Sequence, residues 1–222
     1  MQLDAWERGE GNSWFQRNEA ALADVQRITR DQTLAAVALL PIPQRVCEIG
    51  AANCWRLDII RQWYACDCLG VDVSAEAIAD AHARFFGIAA VIAPAHEVPA
   101  RDASQDLVIC SFVLHWVDRA YLARTVAEAD RVLKPGGHLI ISDFLPDAPC
   151  RTRYHHRQDV ELWTYKQDYA ACWFSLATYQ ELRRQVWNHD TGELGDCPAG
   201  QRAVTVTLRK EEIYSVATYS RT

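Results

Sequence analysis

The sequence predicts an α/β protein on a doubly wound, mostly parallel seven-stranded sheet, with an antiparallel strand at one edge and a helical extension at the N-terminus. Three observations predict it. Strand-like apolar runs alternate with amphipathic stretches between residues 45 and 144. Gly50 follows the first of these runs and Asp72 ends the second. Near the C-terminal end, two further strand-like runs have no helical stretch between them, as an antiparallel hairpin requires.

The elements follow in order. Residues 1–18 are rich in Gly, Asn and Trp and read as irregular. One helix is expected over residues 19–40, with Leu22, Val25, Ile28, Ala35 and Leu39 on its inner face and Pro41 and Pro43 ending it. Arg45–Ile49 reads as a buried strand, and residues 53–64 as a helix facing inward through Leu57, Ile60 and Tyr64. Asp67–Asp72 is the second strand. Ser74 is placed to cap the next helix, which carries Glu76 in its first turn and Ile78, Ala81 and Phe85 as its stripe. Gly87 breaks that helix before a third strand, Ile88–Ile92. Residues 106–111 form the fourth strand. Residues 118–133 form a helix burying Leu122, Val126, Ala129 and Leu133. Lys134-Pro135-Gly136-Gly137 is a helix stop and turn, and residues 138–143 form the fifth strand. Residues 150–184 read as partly helical and aromatic-rich. Residues 185–190 and 203–210 are the last two strands, the second alternating as an edge strand does.

Composition narrows the function classes. Half of the residues are hydrophobic and 23% are charged, as in a globular protein. A formal charge of -6 argues against a nucleic-acid partner, for which a basic stripe is expected. The N-terminus lacks the pattern of a secretory signal, and no apolar run reaches membrane-spanning length, so a cytoplasmic protein is expected. None of the eight cysteines forms a C-x-x-C pair, and they read as reduced core thiols. No metal site is expected.

Ligands of such sheets bind beyond the carboxyl ends of the strands, so residues 50–53, 72–73, 94–97 and 111–116 should surround one cleft. Gly50 permits a tight strand-to-helix turn, and the following helix N-terminus offers N–H groups to an anion. A carboxylate at Asp72 can accept both hydroxyls of a ribose.

Glu48-Ile49-Gly50, Gly70-Val71-Asp72-Val73-Ser74, Asp106-Leu107-Val108-Ile109 and Arg131-Val132-Leu133-Lys134-Pro135-Gly136-Gly137 stand in order at suitable spacing. Together they resemble the motifs of class I S-adenosylmethionine-dependent methyltransferases, whose fold is Rossmann-like. The resemblance implies a cap and helix at 1–44, a cofactor-binding core at 45–144, an acceptor-side insert at 145–184 and a terminal strand pair at 185–222, all one domain. It implies S-adenosyl-L-methionine as cofactor. Glu48 would orient the first loop, and Gly50, Ala51 and Asn53 would face the methionine. Asp72 would hold the ribose, Val73, Ala95 and His96 would meet the adenine, and Ser111 and Phe112 would line the methionine side. The sequence departs from the pattern where Ala52 and Cys54 fill positions usually held by glycine, and where the adenine loop lacks its usual carboxylate near Pro94.

Gly11-Asn12-Ser13-Trp14-Phe15-Gln16-Arg17-Asn18 resembles methylases associated with sugar and cell-surface polysaccharide biosynthesis. Arg17 would then clamp the methionine carboxylate under Trp14 and Phe15. The same residues also read as a hydrophobic staple beside a surface arginine. The expected acceptor is a small molecule, a sugar or natural product, methylated on O or N. His155, His156 and His115 are the candidate general bases. Two other readings stand beside this one. A nicotinamide-dependent oxidoreductase would need a G-x-G-x-x-G turn, which the chain lacks. A non-catalytic binding module would account for the missing loop glycines.

Overall fold

The computed structural model describes residues 2–212. Five strands, β1 (Arg45–Ile49), β2 (Asp67–Asp72), β3 (Ile88–Ile92), β4 (Gln105–Ser111) and β5 (Leu133–Phe144), are joined by parallel pairings. With β8 (Tyr179–Asn188) and β9 (Arg202–Lys210) they form one seven-stranded sheet in the order β3-β2-β1-β4-β5-β9-β8. The helices α5 (Trp55–Tyr64), α6 (Ala75–Arg84) and α7 (Leu122–Val132) make the crossovers.

Period-two alternation builds the layers. Val46, Leu107, Ile109 and Ile140 pack on one face with Leu57, Ile60, Ile78 and Leu34. Their neighbours Cys47, Val108, Cys110, Leu139 and Ile141 pack on the other with Val126, Ala129 and Trp173. Each fully buried aliphatic side chain contributes about 1.5–3 kcal/mol, and the central strands bury both faces. The expected helix cap at Ser74 is present, its side chain accepting from Ala77 N.

Several expected elements differ. Residues 2–22 are helical: α1 (Gln2–Ala5), a π-turn (Trp6–Glu10) and α2 (Gly11–Leu22). The single helix expected over 19–40 is broken into α2, α3 (Val25–Arg30) and α4 (Gln32–Val37). Asp31 causes the second break, because its carboxylate caps α4 by accepting from Leu34 N at 2.7 Å. The restart changes the helical phase, so Leu34, Ala36 and Val37 are buried while Ala35 and Leu39 are exposed. The side chain of Val25 lies outside the described residues.

The turn at Lys134–Gly137 is a bulge inside β5: Gln105 pairs with Leu133, and Leu107 next pairs with His138. The segment expected to be partly helical is instead built of short strands and turns. It holds a hairpin of β6 (Cys150–Arg153) and β7 (Trp163–Lys166), one helical turn, α8 (Ala171–Phe174), and the long β8. Its frequent aromatic residues favour strands, and the connection between β6 and β7 lacks the Asn-Gly or Asp-Gly pair that marks a tight hairpin. The last strand is internal: β9 pairs antiparallel with both β5 and β8, leaving β8 at the edge. Residues 213–222 of the terminal segment lie outside the described residues.

Candidate active site

The sheet order reverses between β1 and β4, and a cleft opens there at the carboxyl ends of the strands. It encloses about 1060 Å³ including its open mouth. The four loops expected to surround a cleft meet here through Gly50–Ala52, Asp72–Val73, Ala95–His96, and Ser111–Val113 with Trp116. Gly50 has φ +74°, and a Cβ there would lie 2.4 Å from a methyl carbon of Val113. Only glycine fits both the conformation and the space.

The first loop is braced from within. Gly50 N and Ala51 N both donate to Val71 O, and Ala52 N donates to Asp72 Oδ2 at 2.8 Å. Asp72 Oδ1 accepts from Ser74 N at 2.9 Å. Asp72 therefore ties the first loop to the second while standing in the wall of the cleft. Burial pushes its carboxyl above the usual range, against the pull of the backbone donors. The backbone N–H groups of Gly50, Ala51 and Ala52 are thus committed inside the loop.

Beyond Asp72, Val73, Ala93, Ala95 and His96 form an apolar slot. His96 is buried rather than solvent-facing, and its ring stacks on Tyr121 with centroids 4.2 Å apart. A planar base fits this slot, and each Asp72 oxygen keeps a lone pair for a ribose hydroxyl. The residues therefore suit the adenosine of S-adenosylmethionine.

The N-terminal segment roofs the cleft. Leu3, Trp6, Gly11 and Trp14 line it, and Trp6 packs on Trp116 with ring centroids 4.9 Å apart. Gln2 fastens the roof, donating to Trp116 O and Trp163 O and accepting from Trp163 N. Phe15 and Arg17 are placed otherwise than the sequence suggested. Phe15 is buried in the core cluster, because α2 turns that face toward the sheet. Arg17 lies off the cleft, engaged by the buried Glu10 carboxylate and by Tyr154 Oη at 2.9 Å. Both contacts use Nη2, and Arg17 lines neither this cleft nor the cavity beside it.

Asn53 and Glu48 also sit back from the cleft. Asn53 donates to Asp80 on α6 at 2.8 Å. Glu48 is fully buried and pairs with Arg56, which is held in turn by both oxygens of Asp31. Burial raises the Glu48 carboxyl to about 7, with Arg56 opposing and Asp31 and Asp72 adding to the rise. Burial works against the Arg56 charge, but the two carboxylates outweigh it and raise its pKa.

A second cavity adjoins the first. It encloses about 1290 Å³ with its open mouth and shares Trp14, Arg56, Ser111, Phe112 and Trp116 with the cleft as a common wall. His115 lines it, Nδ1 lying 2.9 Å from Asp143 Oδ1, both residues almost fully buried. An Nδ1–H donated to Asp143 leaves Nε2 with a lone pair. Beside this pair, Thr33 Oγ1 links Ser111 and Ser142, and Ser142 links Thr205, which accepts from Trp187 Nε1. This chain of buried hydroxyls fixes Trp187 in the far wall.

His155 and His156 line neither cavity. They lie in the turn after β6, exposed, with their rings against Tyr154. The hairpin buries Tyr154 toward Glu10 and leaves both imidazoles outside. Sequence reasoning missed Arg56, Tyr121, Thr33, Trp187, His189 and Asp190, all wall residues. The buried arginine carries a legible signal, since Arg56 stands in the first turn after a glycine loop. The others reach the walls from distant elements, and nothing local marks them.

Residues 47–141 match the methyltransferase domain family. The chain is 30% identical over 174 residues to a malonyl-[acyl-carrier protein] O-methyltransferase of Methylococcus capsulatus, covering 74% of this chain and 59% of that protein. A second protein of that description, from Hahella chejuensis, is 30% identical over 119 residues, covering 51% of this chain and 41% of that one. The chain thus spans little more than half the length of the first of these relatives. The fold superimposes on 1,6-didemethyltoxoflavin-N1-methyltransferase of Burkholderia thailandensis, solved with S-adenosylhomocysteine, with a TM-score of 0.72 at 16% identity, covering 95% of this chain and 89% of that one. An N-methyltransferase of Bradyrhizobium japonicum, solved with the same molecule, gives 0.62 at 18% identity, covering 89% and 98%.

Proposed function

We propose, for a chain whose residues 47–141 match the methyltransferase domain and whose fold is that of the class I S-adenosylmethionine-dependent enzymes, that it methylates an O or N atom of a small molecule held in the second cavity. The observation that carries this is the common wall: a nucleoside-shaped cleft and a cavity holding an imidazole–carboxylate pair share five residues. S-adenosylmethionine supplies an electrophilic methyl on a sulfonium. Asp72 and the slot around His96 hold its adenosine. Ser111, Phe112 and Trp116 border the passage to the acceptor. His115 Nε2 accepts the acceptor's proton, and Asp143 orients the ring and balances the imidazolium that forms. Flat indole faces beside polar Asn18, His189 and Thr191 suit a ring-bearing metabolite, a sugar derivative or natural product.

The test is methyl incorporation from labelled S-adenosylmethionine into extracted small metabolites. His115→Asn should lower turnover by about 10²–10⁴-fold while leaving cofactor affinity unchanged. A loss below tenfold would show that the imidazole is not the base.

A further inference from the structure

The walls of the second cavity point to the acceptor's chemical class. Resting on the reading above, we propose that the acceptor atom is an amine nitrogen and that the amine arrives as an ammonium. Two independent features of the cavity carry this.

The first is charge. Asp24, Asp31 and Asp190 line the cavity, and Glu48 and Asp143 stand directly behind its lining residues Arg56 and His115. Arg30 and Arg56 also line it, Arg56 claimed by Asp31 and by Glu48, whose carboxyl is pushed up to about 7, and Lys166 stands over the Phe144 ring at 4.1 Å, so the excess negative charge rests on Asp143 and Asp190. Two of the carboxylate oxygens, Glu48 Oε2 and Asp143 Oδ2, are buried with no hydrogen-bond partner. The field in the cavity therefore favours a cation and opposes a carboxylate.

The second is the aromatic lining. Trp14, Trp116 and Trp187 enter the cavity from three different elements, with Phe112 and Phe144 between them. Phe112 meets Phe144 and Trp187 edge-on, with ring centroids 5.3 and 5.8 Å apart. The hydroxyl chain through Thr205 locks the Trp187 ring in place. The Phe144 face already carries the Lys166 ammonium at 4.1 Å, and the indole faces of Trp14, Trp116 and Trp187 are electron-rich surfaces of the same kind, which attract a cation more than a hydroxyl. A methylated ammonium fits such walls as well as its precursor does.

The His115 pair completes the chemistry. An ammonium has no lone pair, so a base must act before transfer. The ammonium passes one proton to His115 Nε2, leaving a neutral amine and an imidazolium beside Asp143. The nitrogen lone pair then forms the bond to the methyl carbon. The carbon–sulfur bond breaks and its electron pair stays on sulfur as a neutral thioether. The positive charge moves from sulfur to nitrogen, and His115 returns its proton to solvent. A carboxylate acceptor, such as the name of the malonyl relatives implies for them, would need no base.

The test uses the full chain in two stages. Calorimetry first asks whether it binds S-adenosylhomocysteine; failure there would sink the methyltransferase reading itself. The complex is then titrated with benzylamine, benzyl alcohol and benzoate, three probes alike in size, following the Trp187 indole N–H by NMR against the Trp187→Phe variant for assignment. Benzylamine should bind at least about tenfold more tightly than either of the others, and Asp190→Asn should weaken it at least threefold. The amine assignment is overturned if benzoate or benzyl alcohol binds as well as benzylamine. It is equally overturned if benzylamine leaves the Trp187 signal unmoved up to its solubility limit.

Discussion

At the scale of single residues, the first loop shows how a glycine-poor sequence keeps a glycine-shaped turn. Ala52 and Cys54 adopt left-handed conformations, with φ of 47° and 63°. Each such non-glycine residue costs roughly 1–2 kcal/mol. Cys54 offsets part of this by packing: it is fully buried, and a Cβ on Gly70 would lie 2.2 Å from its sulfur. The thiol thus fills the space that a glycine in the middle of β2 leaves open. Ala52→Gly should therefore raise thermal stability by roughly 1 kcal/mol. Gly70→Ala should cost about 1–3 kcal/mol by overpacking, and should cost less in a Cys54→Gly background. Additive losses in that double-mutant cycle would show that the two positions do not share the space.

The buried triad of Asp31, Arg56 and Glu48 gives a pH dependence of known sign. Glu48 titrates near 7 in the folded chain against an ordinary 4.5. Between those values the native state holds the extra proton, so stability should fall as pH rises from about 4.5 to about 7. Glu48→Gln removes the group and should flatten that stretch of a denaturation-midpoint profile. An unchanged slope in the variant would place the titration elsewhere.

At the scale of elements, the contrast lies between segments with local punctuation and segments without it. The crossover core was legible because each strand end carries its own signal: Gly50, Asp72, Ser74, Gly87 and the Lys134–Gly137 bulge. The N-terminal helices were not legible, because what holds them is distant. Trp6 rests on Trp116 and Tyr154, Glu10 meets Tyr154, and Gln2 reaches Trp116 and Trp163. No window of sequence contains those pairs, so a stretch rich in Gly and Asn read as irregular. Residues 150–166 do pair within one window, but the connection between the two strands carries no tight-turn pair to announce it.

The roof over the cleft should consequently open by itself. Gln2→Ala removes three hydrogen bonds, each worth about 1 kcal/mol net. Phe15 and Leu22 keep α2 in the core, so the expected result is proteolysis of the first ten residues that is roughly tenfold to a hundredfold faster, with the global melting temperature nearly unchanged. A large drop in global melting with no change in nicking would mean that the roof and the sheet unfold as one unit.

At the scale of the whole molecule, the sheet divides the labour. Strands β1, β2 and β4 end at the cleft, while β5, β9 and β8 carry Asp143, Thr205 and Trp187 to the second cavity. The cleft was legible from Gly50, Asp72, Ala95, His96 and Ser111, since the loops that bear them follow strands in chain order. The second cavity was not, because its wall gathers residues 14, 30–33, 115, 187 and 189–192 from opposite ends of the chain. Position after the fifth strand drew attention to His155 and His156, which line neither cavity, whereas the third candidate, His115, lines the second together with His189. Among the described residues no helix is long and apolar enough to cross a membrane.

The proposed function requires that the cleft braced by Asp72 hold S-adenosylmethionine. Calorimetric titration of the chain and of Asp72→Ala with S-adenosylhomocysteine tests it most directly, with thermal melting to show that both proteins are folded. Loss of charge-assisted bonds to ribose, about 1.5–3 kcal/mol each, predicts one-to-one binding by the chain and at least tenfold weaker binding by the variant. Equal affinity in the folded variant, or no binding by the chain, would contradict it.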